Sequence, residues 1–267
     1  MSLKAEYALV TGGSRGIGRG IALKLAAEGV KVGVHYYRNE KAAKETLAGV
    51  RQCGSDGVVV QADVTQTDAV SRLFDQIRKH FGQLDIFVSN ARPEAPEFFA
   101  PPLTITLDQW NAAFQSQATA FLVGAREAAK LMRDGGRMIA ITYAPGGRTG
   151  GLQPWVAMGS AKAALESLVR YFAVTLAQRG ITVNAVSPGW TEDSVLNSLP
   201  DPVQTAVRDW HKRGWTPMKR LGTPADIGNV VALLCREEAG WITGQLIAAD
   251  GGSSLMNSEV PPELQLG

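Results

Sequence analysis

The run T-G-G-S-R-G-I-G at residues 11–18 follows a short apolar stretch, Ala8 to Val10, and precedes a segment with helical periodicity from Arg19 onward. A short strand, a glycine-rich turn and an amphipathic helix in this order open a βαβ unit. In such a unit the first glycine permits the tight turn, the second lets the backbone approach a pyrophosphate, and the third allows close packing of helix on strand. The N–H groups at the start of the helix bind the phosphates. The pattern predicts a dinucleotide site, in preference to a merely tight turn, made of Gly12, Ser14, Arg15, Gly16, Ile17 and Gly18.

The end of the second predicted strand, residues 31–35, indicates which dinucleotide binds. An NAD-binding protein places Asp or Glu here to hold the ribose 2′-hydroxyl, but this chain continues Tyr36, Tyr37, Arg38. A carboxylate would repel a 2′-phosphate, whereas Arg15 and Arg38 can pair with one through charge-assisted hydrogen bonds. We therefore predict NADPH as the cofactor, with Tyr37 and Arg38 in its site. The alternative is that both arginines are solvated surface groups.

The rest of the chain alternates apolar strands with helical segments. The periodicity predicts strands at 58–65, 84–91, 137–143, 181–189 and 242–252, and helices at 68–81, 106–132, after 151 and at 223–234. This alternation implies an α/β fold, a Rossmann-type doubly wound parallel sheet with helices on both faces. We find no linker or repeat, so residues 1–267 are predicted to form a single domain. Ligands bind beyond the carboxyl ends of such strands, which places Asp63, Val64, Asn90 and Ala91 beside the cofactor.

Charge and composition argue against several kinds of partner. The 27 basic and 25 acidic residues leave a net charge of +2, and no basic run suggests nucleic acid. No apolar run reaches ~18 residues and the N-terminus lacks a signal-peptide core, so we expect no membrane span and a cytoplasmic location. Cys53 and Cys235 lack metal-ligand spacing, so no metal site is predicted. We interpret His211 as a surface residue, and His35 and His80 as having no partner that suggests catalysis or metal binding.

The segment G-L-Q-P-W-V-A-M-G-S-A-K at 151–162 leads into a long apolar-periodic helix. At 100° per residue, positions 155, 158 and 162 fall close together. Trp155, Met158 and Lys162 are therefore predicted to share one face of a helix. A lysine on this apolar face is a candidate functional residue.

Taken together, these motifs resemble those of the short-chain dehydrogenase/reductase family. The matching stretches, in order, are T-G-x-x-x-G-x-G at 11–18, D-V at 63–64, S-N-A at 89–91, the Lys162 helix, S-P-G at 187–189 and D-G-G at 250–252. The resemblance implies a homotetramer, a lysine (Lys162) that holds the nicotinamide ribose hydroxyls, and contacts from Pro188, Gly189 and Thr191 to the carboxamide side of the cofactor.

The chain departs from this family at three positions. Members usually carry Tyr four residues before the lysine, where Met158 stands, Ser where Tyr143 stands, and Asn where Gln117 stands. A thioether cannot donate a proton, so ketone reduction by the usual relay is not expected. The chain is more similar to the enoyl thioester reductases, which place their tyrosine seven residues before the lysine, but Trp155 occupies that place here.

Reduction of an enoyl thioester can proceed without the acidic tyrosine that this chain lacks. Hydride delivered to the β-carbon of an α,β-unsaturated thioester leaves an enolate, whose oxygen needs hydrogen-bond donors, while the proton can reach the α-carbon from water. Ketone reduction produces an alkoxide, a stronger base that benefits from a general acid. We predict Tyr143 as the principal donor and a candidate proton source, with Lys162 holding a ribose hydroxyl as a further donor. Trp155 is either a second hydrogen-bond donor or only part of the pocket wall. The alternative for Tyr143 is that it is a packed aromatic residue at the end of a strand, with no role in catalysis.

Substrate contacts are expected from segments that cross the mouth of the pocket. These are residues 92–105, beginning at Arg92, and a lid at about 190–216 that carries Trp190, Trp210 and Trp215. Met158 is expected to contact substrate as well. The basic run 211–213 could meet the phosphates of coenzyme A or an acidic carrier protein, or be a solvated surface, and the tail 253–267 could pack on a neighbouring subunit or be loose.

The sequence thus predicts an NADPH-dependent oxidoreductase that reduces the carbon–carbon double bond of an enoyl-CoA or enoyl-carrier-protein thioester. The acyl group would be cyclic or branched, as in secondary metabolism. Two alternatives stay open, namely an NADPH-dependent ketoreductase with Tyr143 as a relocated acid, and a catalytically silent NADPH-binding member.

Overall fold

A computed structural model of the chain describes residues 3–94, 98–143, 154–193, 196–256 and 260–265. Within these ranges the strands form one seven-stranded sheet, parallel throughout, in the order β3-β2-β1-β4-β5-β6-β7. The strands are β1 Tyr7–Val10, β2 Lys31–Tyr36, β3 Gly57–Gln61, β4 Leu84–Ser89, β5 Met132–Ile141, β6 Thr182–Pro188 and β7 Leu246–Ala249.

Helices cover both faces of this sheet. In chain order they are α1 Gly16–Ala27, α2 Glu40–Gln52, α3 Thr67–Phe81, α4 Leu107–Phe114, α5 Ala120–Leu131, α6 Val156–Leu176, α7 Asp201–Trp210, α8 Pro224–Leu234 and α9 Pro262–Gln265. Helices α1, α2 and α8 pack their apolar residues on one face, and α3, α5 and α6 pack theirs on the other. Because helices cover both faces of the sheet, side chains on both sides of each strand are buried, and the strand sequences are nearly continuous apolar runs. The predicted doubly wound α/β fold is confirmed.

The order of the strands in the sheet determines where the binding cleft lies. From β1 the chain builds outward through β2 to β3, then crosses back to β4 on the other side of β1. In doubly wound sheets the point where the strand order reverses leaves a crevice beyond the carboxyl ends of the strands. The glycine turn after β1 and the Asn90 exit after β4 therefore meet at this crevice.

Several element boundaries differ from the sequence prediction, and two of these differences have a clear structural cause. The single helix predicted at 106–132 is divided, because a π-helical turn at Gln115–Thr119 separates α4 from α5. Such turns often occur at functional sites, and this one carries Gln117. The strand predicted at 242–252 is only Leu246–Ala249, since Gly244 adopts a left-handed conformation (φ +71°) just before it.

The prediction that Trp155 lies on the helix with Met158 and Lys162 is wrong, although all three side chains line the same cleft. Helix α6 begins at Val156, and Trp155 is its N-cap residue, with φ −106° and ψ 13°. Tertiary contacts hold it outside the helix, because Trp155 forms a β-bridge with Ala100 and its ring lies 5.1 Å from that of Phe98. Residues 151–153 of the quoted segment lie outside the described residues.

None of the helices in the described ranges has the length and apolar character needed to cross a membrane.

Candidate active site

A cleft of about 320 Å3 opens at the carboxyl ends of the strands. It brings together the residues that the sequence predicted for cofactor binding and catalysis, and Arg92, Met158 and Trp190 of the predicted substrate contacts, although they come from distant parts of the chain. The lining includes Gly12, Ser14, Arg15, Gly16, Ile17, Gly18, Tyr37, Arg38, Asp63, Val64, Asn90, Ala91, Arg92, Tyr143, Trp155, Met158, Lys162, Pro188, Gly189, Trp190 and Thr191.

The glycine turn has the shape that a dinucleotide phosphate requires. Gly12 has φ +63°, and a Cβ there would lie 2.9 Å from the Cα of Ala91. A Cβ on Gly18 would lie 2.1 Å from the carbonyl oxygen of Gly12, so neither position accepts a side chain. Helix α1 begins at Gly16, and its N-cap residue, Arg15, makes no side-chain cap. The first-turn amides are thus left for an anion in the cleft, which fits a pyrophosphate.

His35 holds the glycine turn in place, a role that the sequence analysis missed. Its Nδ1 accepts from the Gly12 amide at 2.9 Å, and its Nε2 lies 3.1 Å from the carbonyl oxygen of Ala62. Burial lowers the pKa of His35 to about 4, so the ring is neutral at physiological pH and Nε2 carries the proton. His35 therefore has a structural role, which the prediction of no catalytic or metal-binding partner did not include. Its place in a strand buried on both faces was the available signal, since a buried polar group needs hydrogen-bond partners.

Acidification should destabilise the protein through His35. The unfolded chain binds a proton near the ordinary pKa of 6.5, but the folded protein does so only near 4. The free energy of unfolding should therefore decrease as pH falls from 6.5 to 4, with a contribution from His35 of at most roughly 3 kcal/mol. His35→Asn should reduce this decrease, measured by urea unfolding at pH 7 and 4.5. Equal decreases in both proteins would contradict this role for His35.

Three further side chains hold in place the residues that follow β4, Asn90 and Ala91. The Thr11 hydroxyl accepts from the amides of Asn90 and Ala91, at 2.9 and 3.2 Å. The Asn90 side chain donates to the carbonyls of Thr11 and Gly12, at 3.0 and 3.2 Å. Gln117, from the π-helical turn, donates to the Ala91 carbonyl at 3.1 Å. Asn90, predicted to bind cofactor, thus uses its amide group to join the glycine turn to β4.

At the other end of the cleft, the predicted phosphate-binding arginines already have partners. The Arg38 guanidinium lies 4.5 Å from the centre of the Tyr37 ring and donates to its hydroxyl at 3.1 Å. Arg15 forms an ion pair with Glu94, a residue that the sequence analysis did not consider. Asp63 accepts from the amide and hydroxyl of Thr65 through one carboxylate oxygen. Binding of a 2′-phosphate to Arg15 would require exchange of the Glu94 carboxylate.

Lys162 lies buried at the inner end of the cleft. Its Nζ donates to the carbonyl oxygen of Ile141 at 2.5 Å. Burial, the largest cause, and the positive charge of Arg92 lower the pKa of Lys162 to about 7, with Glu166 acting against both effects. The Glu166 carboxylate also accepts from the Thr142 hydroxyl at 2.6 Å. A lysine with a pKa near neutrality can change its charge when a ligand binds.

Aromatic rings form the wall beside Lys162. The rings of Tyr143 and Trp155 are stacked, with centres 5.1 Å apart and an interplanar angle of 3°. Burial raises the pKa of Tyr143 to about 12, so its phenol stays protonated and remains a donor. Met158 is only 2% exposed and packs with Phe98 and its alanine neighbours. The position four residues before Lys162 therefore holds an apolar thioether that contacts the cleft.

The predicted lid contributes only part of what was expected. Trp190 lines the cleft, but Trp210 and Trp215 do not, and they are 54% and 39% exposed. His211 is buried, with its Nδ1 2.6 Å from the Val207 carbonyl oxygen, so its interpretation as a surface residue is wrong. The reason is that the chain continues from α7 into a further helical turn at His211–Trp215, which turns His211 inward. In the described part of the chain, no group of three His, Cys, Asp or Glu residues could hold a metal ion.

A glycine turn at a helix N-terminus, a doubly wound sheet and a buried lysine define a dinucleotide-binding oxidoreductase of the Rossmann type. A family model described as enoyl-(acyl carrier protein) reductase matches residues 12–254. The chain belongs to this family of short-chain dehydrogenases/reductases, and it is an NAD(P)-dependent reductase.

Two relatives and one solved structure align with nearly the whole length of this chain. The 1-cyclohexenylcarbonyl-CoA reductase of Streptomyces collinus is 37% identical over 95% of this chain and 88% of its own length. The hydroxynaphthalene reductase-like protein Arp2 of Metarhizium brunneum is 37% identical over 94% of this chain and 96% of its own. The angucycline C-6 ketoreductase LanV, solved with bound NADP, has a TM-score of 0.84 at 33% identity and covers 94% of this chain and 96% of its own. The chain is thus similar to reductases of both a CoA thioester and a ketone.

Proposed function

We propose that this protein uses NADPH to reduce the carbon–carbon double bond of an α,β-unsaturated acyl thioester. The observation that carries the proposal is that Met158, which cannot donate a proton, and Tyr143, which carries a hydroxyl, line the same cleft. The cleft has no acid at position 158, while Tyr143 offers a hydrogen-bond donor whose pKa is about 12. An enolate oxygen needs such donors and can receive its proton later, at carbon, from water.

The relatives support this choice and indicate the acyl group. Likeness to a 1-cyclohexenylcarbonyl-CoA reductase favours a cyclic or branched enoyl group carried by coenzyme A or a carrier protein. Likeness to LanV favours the second candidate, ketone reduction with Tyr143 as the acid. A silent NADPH-binding protein is disfavoured because Lys162 is present and buried in the cleft.

We propose NADPH as the cofactor because Tyr36, Tyr37 and Arg38, and no Asp or Glu, stand at the end of the second strand, and Arg15 lies in the glycine turn. The glycine turn and first turn of α1 would hold the pyrophosphate, Arg15 and Arg38 the 2′-phosphate, and Asp63 and Val64 the adenine side. Lys162 would hold the ribose hydroxyls, and Pro188, Gly189 and Thr191 the carboxamide. When bound, NADPH supplies the hydride.

Glu94 should weaken NADPH binding, because its carboxylate competes with the 2′-phosphate for Arg15. Glu94→Gln should therefore lower the Kd for NADPH roughly twofold to fivefold, the range expected for an exposed ion pair. The Kd for NADH, which lacks the 2′-phosphate, should change less than twofold. Fluorescence titration measures both constants. Equal tightening for the two cofactors would show that Glu94 does not act on the phosphate.

A substrate panel tests the proposed reaction. NADPH oxidation is measured with 1-cyclohexenylcarbonyl-CoA, a straight-chain enoyl-CoA, an enoyl-carrier-protein and a cyclic ketone, using 4-deuterated NADPH. We expect turnover of an enoyl thioester with deuterium at the β-carbon. Rapid reduction of the ketone without turnover of any thioester would replace this proposal with the ketoreductase.

We also propose that the protein is a homotetramer. Large apolar side chains that do not line the cleft stand exposed, namely Tyr171 and Val174 on α6, and Trp241, which is 98% exposed, before β7. Exposed apolar groups of this size are typical of interaction surfaces. Light scattering should give about four times the chain mass of 28.5 kDa, and a monomer would contradict the proposal.

A further inference from the structure

The two residues before Tyr143 are each joined to helix α6 by a hydrogen bond. The carbonyl oxygen of Ile141, the last residue of β5, accepts from Lys162 Nζ at 2.5 Å. The hydroxyl of Thr142 donates to Glu166 Oε1 at 2.6 Å. Lys162 and Glu166 are four residues apart on α6, so they project from one face of the helix. The two bonds therefore attach successive residues at the end of the strand to successive turns of the helix.

Thr142 is held by the sheet as well as by the helix. Its amide donates to the carbonyl oxygen of Val186 in β6 at 2.8 Å. Its side chain is only 5% exposed and lines the cleft, whereas Glu166 is half-buried. A buried hydroxyl needs a hydrogen-bond partner, and the Glu166 carboxylate provides one. The backbone of Thr142 is thus fixed by β6 and its side chain by α6.

The position of the Tyr143 phenol depends on this anchored residue. Tyr143 lies two residues beyond the end of β5, and its ring stacks on Trp155 with an interplanar angle of 3°. Stacking determines the plane of the ring, but the place of the hydroxyl within that plane follows from the backbone that carries the ring. That backbone begins at Thr142.

We propose that Thr142 and Glu166 are positioning residues whose hydrogen bond sets the Tyr143 phenol relative to Lys162. The proposal rests on the proposed enoyl reduction, in which Tyr143 donates a hydrogen bond to the developing enolate oxygen. Thr142 and Glu166 act through the backbone before Tyr143 and not on the substrate. A donor that is misplaced by about 1 Å loses much of its effect on the transition state. The role of Glu166 is to accept a hydrogen bond, so a neutral acceptor of the same length should replace it.

Four single variants separate the hydrogen bond from the residues that make it. With 1-cyclohexenylcarbonyl-CoA and saturating NADPH, Thr142→Val and Glu166→Leu remove the bond and should lower kcat roughly tenfold. Thr142→Ser keeps the hydroxyl and Glu166→Gln keeps an acceptor, so both should retain kcat within about threefold of the wild type. The KM for the thioester and the Kd for NADPH should change less than about threefold in all four. Thr67→Val, at an exposed position at the start of α3, is the control and should match the wild type.

A double-mutant cycle with Tyr143→Phe tests whether the bond acts through the phenol. Thr142→Val should lower kcat less than about twofold in the Tyr143→Phe protein, because that protein has no hydroxyl left to position. A general structural defect would instead lower kcat by the same factor in both backgrounds. The coupling between residues 142 and 143 is therefore the deciding measurement.

Several outcomes would overturn the proposal. One is a tenfold fall in both backgrounds, and another is unchanged kcat in Thr142→Val. If Glu166→Gln loses as much activity as Glu166→Leu while Thr142→Val stays near the wild type, Glu166 acts by its charge and not by the bond. If Thr142→Val does not fold, as judged by circular dichroism, Glu166→Leu replaces it in the cycle. If the wild type reduces only the ketone, the proposed function fails, and the same cycle measured on the ketone tests the positioning role separately.

Discussion

Lys162→Met is expected to lower kcat/KM roughly 1000-fold while making the cofactor-free protein more resistant to heat at pH 6. The loss of activity follows from removing the cation that would hold the ribose hydroxyls, and this magnitude is the upper end for a single electrostatic contact. The gain in stability follows from the cost of burying a charge. Lys162 is buried with Arg92 as a neighbour of like charge, and only Glu166 offsets their effect on its pKa.

The pH dependence of this gain has a definite direction. In the unfolded chain Lys162 holds its proton up to about pH 10.5, whereas in the folded protein it loses it near pH 7. Below pH 7 both states are protonated and the penalty of burial is complete. Between pH 7 and 10.5 the unfolded state binds more protons, so the wild type gains stability as pH rises. The advantage of the variant should therefore be largest at pH 6 and decrease toward pH 10.

Thermal unfolding without NADPH at pH 6, 8 and 10 measures this effect. At pH 6 the Tm of Lys162→Met should exceed that of the wild type by at least about 3 °C. Lys41→Met, which changes an exposed lysine on α2, is the control and should show no pH-dependent difference. A constant Tm difference between Lys162→Met and the wild type over the whole range would mean that Lys162 has an ordinary pKa in the folded protein.

Tyr143→Phe is the second change with a large expected effect, a roughly 100-fold fall in kcat for the enoyl thioester. Phenylalanine keeps the ring stacked on Trp155 but loses the hydroxyl donor, and one oxyanion donor typically contributes 100-fold to 1000-fold. Because the pKa of Tyr143 is about 12, the ratio of wild-type to variant kcat should be constant from pH 6 to 9. The Kd for NADPH should not change.

Two further variants isolate the role of the phenol. Tyr7→Phe removes a hydroxyl at the start of β1, away from the cleft, and should leave kcat unchanged. Trp155→Phe keeps an aromatic ring against Tyr143 but removes the indole N–H. A loss below threefold in Trp155→Phe would leave Trp155 as a pocket wall. Unchanged kcat in Tyr143→Phe would exclude Tyr143 from the mechanism.

Local sequence was sufficient for the fold and for the cofactor end of the cleft. The strand, glycine turn and helix at residues 8–27 are determined by near neighbours, because glycine φ angles and helical periodicity depend on a few adjacent residues. The start of α8 is another example, since Thr223 and Asp226 form the capping box that the helix requires. Alternation of such units leads to a parallel sheet, and the sheet brings the ends of β1 and β4 together.

The inner end of the cleft depended on contacts between residues far apart in sequence. The hydrogen bond of His35 to Gly12, the ion pair of Arg15 with Glu94 and the stacking of Trp155 on Tyr143 have no local signal. Periodicity placed Trp155 on a helix, but its packing against Phe98 holds it just before the helix begins.

The amino-acid sequence by itself determined the doubly wound fold, the position of the dinucleotide site and the replacement of an acid by Met158, because each depends on residue type and short spacing. Tertiary structure alone decided that Lys162 is buried and feels the charge of Arg92, that burial raises the pKa of Tyr143, and that His211 points inward. Burial and charge proximity set the electrostatics of the site, and both arise only when separate elements pack around one cleft.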